Sequence, residues 1–99
     1  MLKHIVMIKL LATDKVIFQK RLEKLQTMLN NLKDVIPQIA HLEVGANIST
    51  RPSAYDLVLV TGFYNETDLN TYRVHPNHQE VLLYMKEIIS DAKVVDYIM

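Results

Sequence analysis

The sequence has no cysteine, no tryptophan, only two glycines and three prolines, and no excess of either charge. Each shortage removes a class of protein. Without cysteine there is no disulfide framework and no thiolate metal site, and a cytoplasmic setting fits. Gly45 and Gly62 stand alone inside apolar stretches, so no glycine-rich loop is present to cradle a phosphate. They read instead as strand positions with a bulge or a close backbone approach. Eleven basic residues balance eleven acidic ones. A nucleic-acid partner, which selects for a basic surplus, is therefore not expected. The opening MLKHIVMIKL is interrupted by Lys3, His4 and Lys9. It is too short and too polar for a membrane span or signal peptide, so no membrane partner is expected either.

What remains is an ordinary globular composition: 99 residues, 49% hydrophobic and 22% charged, enough for one domain over residues 1–99. Leu2 to Leu10 alternates as a strand, with Leu2, His4, Val6, Ile8 and Leu10 on one face and Lys3, Ile5, Met7 and Lys9 on the other. Thr13 or Asp14 caps a helix whose apolar residues Phe18, Leu22, Leu25, Leu29, Leu32 and Ile36 step by three and four until Pro37. That predicts an amphipathic helix of about five turns. Further strands are expected over Ile39–Ser49 and Asp56–Tyr64, and a last one over Ala92–Ile98. Between the last two lies a helical stretch broken at His75–Pro76, its second part reaching about Ser90. The order β-α-β-β-α-β is the ferredoxin-like α+β arrangement.

Two helices cover one face of such a sheet, and the other face should be polar in a monomer. Here Ile5, Met7, Val58, Val60, Val95 and Tyr97 occupy it. A small domain does not leave so large an apolar face in water, so homodimerisation through paired sheets is expected.

Chemistry concentrates in Thr71 to Gln79, TYRVHPNHQ. Pro76 pushes His75 out of the helical region and starts a helix with His75 as its cap. His78 then heads an inward stripe with Val81, Leu82, Met85, Ile88 and Ile89, while Leu69 and Tyr72 share a face upstream. A phenol and an imidazole are thus directed at one interior. His78 also reads as a satisfied core histidine, Tyr72 as a packed ring with its hydroxyl at a pocket rim, and His4 as a polar residue needing a partner. Asp96 and Tyr97 read as structural. His75 and His78 do not bracket a metal across the proline, and no further ligands cluster nearby, so no metal or cofactor is expected.

The combination of LKHIVMIKL, AYDLVLVTGFYN, TYRVHPNHQEV and the terminal VVDYI resembles the stress-responsive alpha/beta-barrel family over essentially the full length. The resemblance implies a dimeric alpha/beta barrel: two ferredoxin-like sheets closing a central barrel with helices outside. One plant member is a polyketide cyclase that performs an intramolecular aldol condensation between sheet and helices without a metal or organic cofactor. Carried over by position, His78 corresponds to its catalytic histidine, Tyr72 to the tyrosine working with it, and His4 to a pocket histidine. Leu57 and Leu29 correspond to ligand-binding positions that are histidine and tyrosine in the cyclase.

Two function classes follow. One is a dimeric barrel binding a small apolar or carbonyl-containing ligand. The other is a cofactor-free cyclase or lyase, with His78 as general base and Tyr72 orienting the carbonyl. A small monooxygenase, an activity of related barrels, is a further alternative.

Overall fold

Strand β1 (Leu2–Leu10) opens the chain in the computed structural model, which describes residues 1–99. Asp14 then caps helix α1 (Lys15–Asn30), its carboxylate accepting from the Ile17 N–H at 3.0 Å. The expected five-turn helix is interrupted. Asn31 separates α1 from the short α2 (Leu32–Val35), because consecutive asparagines hold a helix weakly. Ile36 is extended ahead of Pro37, and the stop falls where the proline requires it.

Strand β2 (His41–Ala46) is shorter than the expected Ile39–Ser49, and Ile48 is 99% exposed. β2 is an edge strand, and its ladder ends where Ala46 meets Leu57, the first residue of β3 (Leu57–Phe63). Beyond it Asn47 folds onto Ser49 in a side-chain turn. Gly62 marks a close approach rather than a bulge. A methyl there would meet the Met1 sulfur at 2.7 Å and the His41 Cβ at 3.2 Å. Asn65 caps α3 (Glu66–Val74), and His75 caps α4 (Pro76–Ile88) by accepting the Asn77 N–H at 3.1 Å. β4 (Ile89–Ile98) follows with no loop, three residues earlier than expected. Ser90 is the extra residue of a bulge, since Lys9 pairs with Asp91 and Leu10 with Ile89.

The four strands form one antiparallel sheet in the order β2-β3-β1-β4, the ferredoxin-like arrangement. Its helix-facing side carries Leu2, His4, Ile8 and Leu10 from β1 and Leu57, Leu59, Thr61 and Phe63 from β3, all buried. Against them pack Leu22, Leu25 and Leu29 of α1, Leu69 and Tyr72 of α3, and Val81, Met85 and Ile88 of α4. Each fully buried leucine contributes about 2 kcal/mol by removal from water. The helices lie over β2 and β3 and against each other, and Val94 of β4 stays 55% exposed. On the opposite face Met7, Val95 and Tyr97 are exposed, while Ile5, Val58 and Val60 are half-buried. No helix is long and apolar enough to cross a membrane.

Candidate functional site

The uneven helical cover leaves a cavity of about 370 Å³ between the sheet and the helices, a volume suited to a small molecule. α1 contributes Leu29 to its wall, and β1, β3 and β4 contribute the sheet side. Eleven of the fifteen lining residues are hydrophobic; the other four are His4, Arg73, His78 and Lys86.

His78 owes its place to the proline. Pro76 ends α3, so the last carbonyls of that helix lack helical partners. The Arg73 carbonyl accepts from His78 Nδ1 at 3.0 Å and from Gln79 Nε2 at 2.7 Å. A carbonyl only accepts, so Nδ1 carries the proton of the neutral ring and Nε2 keeps its lone pair. Burial lowers the His78 pKa from 6.5, and positive charge on His4 or His75 acts in the same direction. The bond to the Arg73 carbonyl opposes that shift without reversing it. The ring is therefore neutral near pH 7 and able to take a proton.

Tyr72 is fully buried, with its ring 5.2 Å from Phe63, 4.2 Å from His78 and 6.1 Å from His4 between centroids. Its hydroxyl is buried, not held at a rim, and has no hydrogen-bond partner. Burial pushes its pKa up to about 12, so the phenol stays protonated and remains a donor. The two rings, directed at one interior by their helix faces, touch directly.

His4, buried at 8% exposure, finds its partner across the sheet. His4 and Asp96 face each other in the β1–β4 ladder, and Nδ1 lies 2.5 Å from the Asp96 carboxylate. The other Asp96 oxygen accepts from Arg73 at 3.1 Å. Asp96 thus ties β4 to β1 and α3 and holds one orientation of a cavity-lining imidazole. Its alternation with Val95 and Tyr97 was the sequence signal for that inward position.

His4, Leu29, Tyr72 and His78 come together around the cavity, and Leu57 does not. The cavity lies at the level where Val6 pairs with Leu59, and Leu59 forms the β3 wall. Leu57, one pleat further along, is 2% exposed and fills the core instead. Arg73 and Lys86 join the lining without having been singled out from the sequence, and Met85 of the inward stripe joins them. His75 directs Nδ1 to its own helix, and no three His, Asp or Glu side chains gather as metal ligands.

Fold and site together define a ferredoxin-like α+β protein with an apolar cavity carrying a phenol–imidazole pair. The chain belongs to the stress-responsive A/B barrel domain family, whose model matches residues 2–99. It is 31% identical over 80 residues, 76% of its own length, to a stress-response A/B barrel domain-containing protein, DABB1, of Arabidopsis thaliana. The match spans 38% of that relative. A dimeric protein of unknown function and ferredoxin-like fold from Bacteroides fragilis superposes with a TM-score of 0.91 at 25% identity, covering 99% of this chain and 95% of that one. The hydroxynitrile lyase of Passiflora edulis shares the fold at a TM-score of 0.84 and 17% identity, covering 99% and 92%.

Proposed function

We propose that this protein binds a small, largely apolar carbonyl compound in the cavity and moves a proton on it with its own side chains. The contact between Tyr72 and His78 in the wall of an otherwise apolar cavity carries this reading. His78 Nε2 removes a proton from the carbon next to the carbonyl, and the electron pair moves onto the carbonyl oxygen as an enolate. Tyr72 donates its unpartnered hydroxyl to that oxygen once the ligand displaces the side chains that enclose it, in a setting dry enough to strengthen the bond. Return of the proton from His78 to carbon completes an exchange. Attack of the enolate carbon on a second carbonyl in the same molecule, with the His78 proton passing to the alkoxide so formed, completes a ring closure. The fold shared with a hydroxynitrile lyase is compatible with this reading and does not carry it.

The protein works as a homodimer in this reading. The apolar outer face of the sheet supports it, as does the dimeric Bacteroides fragilis neighbour.

The function is tested by proton–deuterium exchange in heavy water. Methyl hexyl ketone and acetophenone are incubated with the protein, and loss of the signal next to the carbonyl is followed by NMR. Exchange above that given by equal imidazole, abolished in a folded His78→Ala variant, is the expected result. Binding of either ketone without exchange removes the catalytic step and leaves a binding protein.

A further inference from the structure

The charge lining the cavity is of one sign. Its two permanently charged residues, Arg73 and Lys86, are both cationic, and no aspartate or glutamate is among the fifteen that line it. The two cations differ in what they have available. Arg73 is engaged with Asp96 at 3.1 Å, so its charge is offset within the protein. Lys86 makes no ion pair with any carboxylate: the other ion pairs of the chain are His4–Asp96 and Lys93–Asp91. It is exposed, near the end of α4, where Ile89, Ala92 and Val94 form the neighbouring wall. His78 stands at the opposite end of the same helix. Eight residues separate the two, or about 12 Å along the axis. Val81, Leu82 and Met85 line the helix side of the intervening space.

We propose that the ligand is an amphipathic carboxylate, with its anionic end at Lys86 and its apolar chain along the cavity. Its carbonyl end then reaches Tyr72 and His78. This rests on the ligand cavity proposed above and adds the class of molecule it takes. An uncharged ligand would leave the Lys86 ammonium at the mouth with only water as a partner. A cationic one would meet the like charge of Lys86 and no carboxylate in the lining. An apolar acid satisfies the whole lining at once, and the exposed position of Lys86 lets the charged end stay partly hydrated while the chain is buried.

Octanoate and octanol, equal in chain length and different in charge, separate the possibilities by titration calorimetry at pH 7. Octanoate is expected to bind more tightly than octanol, and its advantage is expected to shrink as salt rises. Lys86→Gln should weaken octanoate about three- to fivefold, the effect of a partly exposed ion pair, and leave octanol unchanged. Lys20→Gln, at an exposed site on α1 away from the cavity, should change neither. Equal binding of the two compounds, or an equal loss of both in Lys86→Gln, overturns the carboxylate assignment while the cavity reading stands. Failure of both compounds to bind overturns the cavity reading and this assignment with it.

Discussion

The ring of His78 lies 4.2 Å from that of Tyr72, tilted by 39°, while the tyrosine hydroxyl beside it has no partner. A buried hydroxyl without a hydrogen bond costs about 1–3 kcal/mol, which a folded protein retains only at positions with another use. Tyr72→Phe removes that hydroxyl and keeps the ring contacts with Phe63 and His78. Urea unfolding should show a variant as stable as the wild type or more stable by about 1 kcal/mol. Ketone binding or exchange should fall at the same time. A loss of stability above about 1 kcal/mol would mean that the hydroxyl has a structural partner.

His78 sets a pH dependence. Its folded pKa lies below 6.5, so the unfolded chain binds its proton more readily than the folded one. This contribution is complete above pH 6.5, declines as the pH falls below that value, and levels off below the folded pKa. The stability difference between wild type and His78→Gln should therefore shrink from pH 7.5 towards pH 5. The imidazole proton signals of His78 should titrate with a midpoint below 6.5. A midpoint above 6.5 would contradict the burial argument.

Asp96→Ala leaves the Nδ1 of a buried histidine without its partner and releases Arg73. A loss of about 1–2 kcal/mol in chemical denaturation is expected, reduced from the fully buried value because the carboxylate side chain is one-third exposed. Arg73→Ala should cost less, about 0–1 kcal/mol, since its half-exposed ion pair is screened by water. Reversal of that order would place the main anchor on the Arg73 side of the network.

Val95 is 61% exposed in the single chain, so an aspartate there disturbs little if the protein is a monomer. In a dimer paired through the outer sheet face it buries a charge without a partner. The interface is expected to bury at least about 1,200 Å² in total, and sedimentation should find a wild-type dimer and dissociation in Val95→Asp. Val58→Asp and Val60→Asp should dissociate it or unfold it. A wild-type monomer at micromolar concentration would refute the assembly.

Local features were legible in the chain because each depends on residues a few positions apart. The bounds of β1, the caps at Asp14 and His75, the proline-set kink before α4 and the two faces of each strand all follow from spacing. Edges were less legible. β2 stopped short and β4 began early because strand ends depend on where the neighbouring strand and the bulge fall.

The sequence by itself determined the order of elements, the apolar outer face and the inward direction of Tyr72, His78 and His4. Tertiary structure alone decided which of these touch. Periodicity says which side of an element a residue occupies, but not its level against a neighbouring element, and that level replaced Leu57 by Leu59 in the cavity wall. Strand register paired His4 with Asp96 from opposite ends of the chain. Incomplete helical cover over β4 opened the cavity and brought Lys86 into its lining. Contacts between distant segments depend on how side-chain volumes fill the space between sheet and helices, and no local pattern encodes that filling.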